Sequence, residues 1–195
     1  AAVARPPRPL AAGLVRLDRN ENPAGPFLSG RKAIEGAMSE AGRYPYEAES
    51  ALREAIARMH GVKPEQVAMG CGSGEILNVC TERFTTEKRG LVAGQPTFES
   101  PAAMAAQLGR PVMLVPVTKT LHLDLDRMAT EARGAGLVYL CNPNNPTSTV
   151  HGAAAVRAFL ARVRRESPET KVLVDEAYHE YVDEPSYATM IPETR

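Results

Sequence analysis

From Gln66 onward the chain alternates short apolar segments, rich in β-branched residues, with amphipathic helical segments. That rhythm restricts the fold more than any other feature. Val67–Met69, Leu91–Ala93, Val112–Val117, Leu137–Leu140 and Val172–Val174 read as strands. Residues 74–84, 99–108, 124–133 and 153–166 read as helices between them, the last with Val156, Phe159, Leu160 and Val163 as its core stripe. Strand–helix–strand units build parallel sheets, and strands apolar on both sides are covered on both faces. The expected fold class is α/β: a three-layer α/β/α arrangement around a mostly parallel sheet.

The amino-terminal part reads differently. Pro6, Pro7, Pro9, Pro23 and Pro26 within residues 1–28 predict an extended arm, because proline fixes φ and removes a donor. The polar Asn20-Glu21-Asn22-Pro23 cluster predicts a fixed turn in it. Two amphipathic helices follow. Ser29 is the expected cap of the first, with Ala33, Ile34, Ala37, Met38 and Ala41 on one face. The second runs from about Glu47 to Met59, with Ala48, Leu52, Ala55, Ile56 and Met59 inward and Glu49/Arg53 and Glu54/Arg58 paired outward. Arg43-Tyr44-Pro45-Tyr46 separates them, since the residue before a proline avoids the helical region. Residues 1–62 are thus an arm plus the first helices of a small domain, and residues 63–195 the first part of a larger sheet domain.

Charge and cysteine content narrow the function. Lys plus Arg, 23, balance Asp plus Glu, 23, so no surplus favours nucleic acid or an acidic membrane surface. No apolar run approaches the roughly 18 residues of a membrane-spanning helix. Cys71, Cys80 and Cys141 are odd in number and lack metal-ligand spacing, which points to a reducing, cytoplasmic setting. His60, His122, His151 and His179 form no HxH or HExxH pattern, so no metal is expected. His179 is expected to face solvent or to act through a neighbour. Arg162, Arg164 and Arg165 read as a solvated helix end.

In open α/β sheets ligands bind beyond the carboxyl ends of the strands, and the unusual residues fall there. Gly70-Cys71-Gly72-Ser73-Gly74-Glu75 opens a helix, where tight turns and unpaired N–H groups make a cradle for phosphate. A glycine-rich methyltransferase turn would instead want acidic residues where Ala68-Met69 and Gly94-Gln95 stand. Phe98, in Gln95-Pro96-Thr97-Phe98, is an aromatic at a strand end, suited to stacking on a planar group. Asn142-Pro143-Asn144-Asn145-Pro146-Thr147 is a rigid turn that holds an amide in a fixed direction. Asp175-Glu176-Ala177-Tyr178 puts a carboxylate at the end of a buried strand, which is costly unless a donor such as a protonated ring nitrogen meets it.

Taken in order, these pieces resemble the pyridoxal-phosphate aminotransferases of fold type I, most closely the histidinol-phosphate aminotransferase-like group. The resemblance spans nearly the whole chain, from an arm Leu17-Asp18-Arg19-Asn20-Glu21-Asn22-Pro23 through Arg43-Tyr44-Pro45 to Asp175-Glu176-Ala177-Tyr178. It implies pyridoxal phosphate as cofactor and a large cofactor-binding domain beginning near residue 63. Asp175 would pair with the pyridine nitrogen, Asn145 and Tyr178 would bond the phenolic oxygen, and Phe98 would stack on the ring. Backbone N–H groups of Ser73, Gly74 and Glu75, with the Ser73 hydroxyl, would hold the phosphate. Tyr44 would reach the phosphate in the neighbouring subunit of a homodimer, and Asn20, Glu21 and Asn22 would line the substrate side. Substrates would be a small-molecule amino donor, an amino acid or amino phosphate ester, and a 2-oxo acid.

Departures accompany the resemblance. The family's Ser-Asp-Glu is Ser73-Gly74-Glu75, and its Asn-Pro-Thr-Gly is Asn145-Pro146-Thr147-Ser148. Its cofactor-bearing lysine and carboxylate-gripping arginine belong to later segments, and none of Lys32, Lys63, Lys88, Lys119 or Lys171 matches the lysine's motif. The chain is therefore expected to be roughly the first half of such an enzyme, inactive alone. The same contacts also serve fold type I decarboxylases, synthases and oxidases. They serve as well the cofactor-sensing domain of transcription regulators, which carry a basic DNA-binding segment where this chain is proline-rich.

Overall fold

The computed structural model describes residue 15 and residues 19–194; Leu17 and Asp18 of the arm motif, and the proline-rich stretch before them, lie outside it. Two compact units divide at residues 48 and 49.

In the first unit Asn22 does what the polar cluster predicts. Its side-chain oxygen accepts the Ala24 N–H at 3.0 Å and its carbonyl accepts the Gly25 N–H at 3.2 Å, which closes a turn. Helix α1 (Leu28–Ala37) follows, with Phe27 rather than Ser29 at its cap position and no side-chain cap bond. Ser29 lies one residue inside the helix, too late to accept the first-turn N–H groups. Tyr44 stacks on Tyr46 with ring centroids 5.6 Å apart.

Helix α2 (Tyr46–His60) carries the two anticipated ion pairs, Arg53 to Glu49 at 2.6 Å and Arg58 to Glu54 at 3.7 Å. Its apolar stripe differs from expectation: only Ala57 is buried, whereas Leu52 and Met59 are exposed, as are Ile34 and Met38 ahead of it. Periodicity identifies the apolar face but does not supply what covers it.

The second unit is the predicted sheet. Strands β1 (Leu91–Gln95), β2 (Val112–Pro116), β3 (Leu137–Cys141) and β4 (Lys171–Asp175) are all parallel, in the order β2-β1-β3-β4. Val67–Met69 is not a strand. It finds no ladder partner among the described residues, and an apolar run without a partner stays irregular.

Helices α3 (Ser73–Phe84), α4 (Ser100–Gln107), α5 (Leu125–Glu131) and α6 (Ala153–Glu166) cover the sheet. Leu77 of α3 and Ala105 of α4 pack with Leu91, Ala93, Leu137, Tyr139 and Cys141 on one face. Met128 and Ala129 of α5 and Val156, Phe159 and Val163 of α6 pack with Val92, Val138 and Leu140 on the other. Odd and even positions of each strand thus serve different helices, as the two-residue pleat requires.

The strand order reverses between β1 and β3. The crossover from β1 leads outward to β2 and the next returns to β3 on the far side, so a crevice opens at their carboxyl ends. Helix α3 aims at the same end. Phe84 at its carboxyl terminus lies against Gly136, just ahead of β3. In its middle Asn78 accepts the Ser100 hydroxyl at 3.2 Å, which ties α3 to the start of α4 just after β1.

Candidate active site

Four loops meet the carboxyl edge of the sheet. The first is the glycine turn before α3. Gly72 takes φ +79°, a conformation that a side chain disfavours, and as the cap residue it offers no side-chain acceptor. The first-turn N–H groups of Ser73, Gly74 and Glu75 lack intrahelical partners by geometry and carry the positive end of the helix dipole. Glu75 folds back so that its Oε2 accepts the Cys71 N–H at 2.5 Å, fixing the turn through its side chain. A Cβ on Gly70 would lie 2.9 Å from that oxygen, which explains a glycine there.

The second and third loops flank the crevice and are tied across it. Asn144, buried at the end of β3, accepts from the Thr97 hydroxyl at 2.7 Å and donates to Pro96 O at 3.1 Å and Thr147 Oγ1 at 2.8 Å. Asn142 bonds the backbone of His151 twice, donating to its carbonyl at 3.1 Å and accepting its N–H at 2.8 Å. The fixed amides of this turn are thus Asn142 and Asn144. Asn145 follows them, half-buried. Phe98, at the end of the tied loop, is exposed. Ser148 stands where the family pattern has glycine and takes φ +57°, with its N–H on Asn144 O at 2.8 Å. The tight turn persists without the glycine, at the cost of a strained residue.

The fourth loop follows β4. Asp175 is buried and lies on the α3/α4 face. Its Oδ1 accepts the Ala177 N–H at 3.0 Å and its Oδ2 accepts the Tyr139 hydroxyl at 2.7 Å. Tyr178 is half-buried, its ring 6.4 Å from that of Tyr181. Glu176 turns away and pins the next segment through Thr189 at 2.5 Å and the Met190 N–H at 2.8 Å.

Ser73, Gly74 and Glu75 open α3, while Phe98, Asn145, Asp175 and Tyr178 follow or close the carboxyl ends of β1, β3 and β4. Asn20, Glu21, Asn22 and Tyr44 belong to the first unit. Tyr139, Asn144 and Thr97 are the contributors that residue-by-residue reading passed over. Alternation along β3 held a signal for Tyr139, but only the β3–β4 register brings it to Asp175.

Three features lie outside the site. His151, beside His122 at 5.4 Å, has its basicity lowered by burial. His179 meets Glu180 at 3.1 Å. Arg162 is not a solvated helix end: it bridges Asp126, Thr130 and Glu166 and so locks α5 to α6. Among the described residues no three metal-ligating side chains cluster, and no helix is long and apolar enough to cross a membrane.

This arrangement fits a planar phosphorylated cation: an anion-binding helix start, an aromatic, an amide and a buried carboxylate with lone pairs remaining, all at the switch point. The family described as Aminotransferase class I and II matches residues 12–194. A histidinol-phosphate aminotransferase of Symbiobacterium thermophilum is 38% identical over 173 residues, covering 88% of this chain and 47% of that protein. One of Halalkalibacterium halodurans is 36% identical over 184 residues, covering 93% and 48%. The solved histidinol-phosphate aminotransferase of Sinorhizobium meliloti, in complex with pyridoxal-5'-phosphate, superposes with a TM-score of 0.80 at 26% identity, over 87% of this chain and 45% of that one. The chain spans about half the length of the curated relatives it matches.

Proposed function

The chain belongs to the aminotransferase class I and II family, and on that premise we propose that it forms the cofactor-cradling part of a pyridoxal-phosphate-dependent aminotransferase. The enzyme moves an amino group from an amino acid or amino phosphate ester to a 2-oxo acid. The observation that carries this reading is the buried Asp175 carboxylate, sharing a sheet face and edge with the glycine-capped start of α3. Pyridoxal phosphate bound there would supply an electron sink for the amino-group transfer.

The chain's own residues prepare that chemistry. Asp175 receives the ring N–H and keeps the nitrogen cationic, and a partly desolvated carboxylate does so more strongly than an exposed one. Asn145 and Tyr178 donate to the phenolic oxygen and orient the ring. Phe98 covers one ring face and excludes water from it. The N–H groups of Ser73, Gly74 and Glu75, with the Ser73 hydroxyl, take the phosphate. Tyr44 serves the neighbouring subunit of a homodimer, and Asn20, Glu21 and Asn22 border the substrate. The proton-moving lysine has no counterpart in a matching motif here, so the reading concerns the whole protein, placed in the cytoplasm and acting on small molecules rather than nucleic acid or membranes.

Relatives named histidinol-phosphate aminotransferase support an amino phosphate ester as donor. The test is to incubate the full-length protein with histidinol phosphate and 2-oxoglutarate and assay glutamate. Glutamate formation that depends on both compounds supports the reading; carbon dioxide release or oxygen consumption without glutamate moves it to another reaction of the same fold.

A further inference from the structure

Tyr139 has no part in the roles above, yet its position gives it one. In the parallel β3–β4 pair Tyr139 stands opposite Leu173 and Cys141 opposite Asp175. The pleat sends residues 139, 141 and 175 to the α3/α4 face. There Tyr139 is 1% exposed, and its hydroxyl donates to Asp175 Oδ2 at 2.7 Å. Oδ1 takes the Ala177 N–H at 3.0 Å. Each carboxylate oxygen accepts about two bonds, so each keeps one lone pair for a ligand.

Resting on the reading of the preceding subsection, we propose that Tyr139 is a positioning residue. Its hydroxyl fixes the plane of the Asp175 carboxylate and draws electron density from it, so that a proton shared with the ring nitrogen rests on the nitrogen. A hydrogen bond to the anion favours the anion over the neutral acid. Without it the carboxylate competes better for the shared proton, and the ring loses part of its cationic character. Burial, then the neighbouring Cys141 and Asp175, push the Tyr139 phenol far above its ordinary range, so it remains a donor at every working pH. Cys141 is no rival for the carboxylate, because its thiol donates to Pro143 O at 3.2 Å.

The test loads full-length wild type, Y139F, D175N and the double variant with pyridoxamine 5'-phosphate labelled with 15N in the ring. The ring-nitrogen resonance is read by NMR at one mildly alkaline pH. The expected result places Y139F between wild type and D175N, with the double variant coincident with D175N, since Tyr139 acts only through Asp175. A Y139F resonance equal to wild type while D175N is displaced overturns the proposal and leaves the aminotransferase reading standing. A D175N resonance equal to wild type overturns both. Should Y139F fail to fold, 3-fluorotyrosine at position 139, a stronger donor of nearly equal size, is expected to move the resonance away from that of D175N; no movement overturns the proposal.

Discussion

The two faces of the sheet are built from the same strands and do different work. Toward α5 and α6 the buried hydrophobic cluster runs from Val92 and Leu140 to Val156, Phe159 and Met190, with the buried hydroxyls of Ser167 and Thr170 tied to the Ala132 carbonyl at its margin. Toward α3 and α4 it begins apolar at Leu91 and Leu137 and becomes polar at the strand tips, with Tyr139, Cys141 and Asp175. The first face needs volume and shape. The second needs direction, because a hydroxyl and a carboxylate are useful only when aimed. Removing side chains from each face should therefore produce separable defects.

The largest effect belongs to the apolar face. Phe159→Ala empties a buried site and should lower stability by about 3–5 kcal/mol, read as a shift of the urea midpoint. Variant that remains folded should bind pyridoxal phosphate as wild type does; a matching loss of affinity would break the division of labour. Asp175→Asn is the converse. Affinity for pyridoxal phosphate should fall about a hundredfold, close to 3 kcal/mol. The melting temperature without cofactor should barely move, since the amide oxygen can keep the Ala177 N–H while its NH2 donates to the Tyr139 oxygen. Equal affinity in both proteins would remove Asp175 from the site.

How far these faces could be read beforehand follows from the physics. The four paired strands and the helices between them were legible because apolar, β-branched runs separated by amphipathic segments leave few alternatives. Val67–Met69 looked the same locally and failed, since a strand is defined by a neighbour and no local pattern specifies one. The apolar stripes of α1 and its C-cap and of α2 lie exposed at Ile34, Met38, Leu52 and Met59, for the same reason. Asp175 stood out because a carboxylate at the end of an apolar strand is anomalous. Tyr139 did not, because a tyrosine in a strand is ordinary; its importance comes from register across β3 and β4. Asn144 and Asn145 were indistinguishable by type, and only the fold shows which one ties the loops together.

Smaller effects sharpen the comparison. Ser148 holds φ +57° beside the site, so Ser148→Gly should stabilise the protein by about 1 kcal/mol, measured as a raised melting temperature. A lower melting temperature would show that the serine side chain repays its strain. The smallest effect lies behind the apolar face, where bonds from Arg165, then Arg133, hold the Glu166 carboxyl down to about 2. A carboxylate with a depressed folded value contributes stability above its ordinary range near 4.3 and loses it as pH falls toward 2. Glu166→Gln should therefore lower the melting temperature slightly at neutral pH and not at all at the acid end. A constant difference across that range would contradict the assignment.

The most direct measurement is a crystal structure of the full-length protein soaked with pyridoxal phosphate. The account predicts the ring nitrogen about 2.7–2.9 Å from an Asp175 carboxylate oxygen, with the phosphate on the N–H groups of Ser73, Gly74 and Glu75. A ring bound elsewhere, with Asp175 still engaged only by Tyr139 and Ala177, would contradict it.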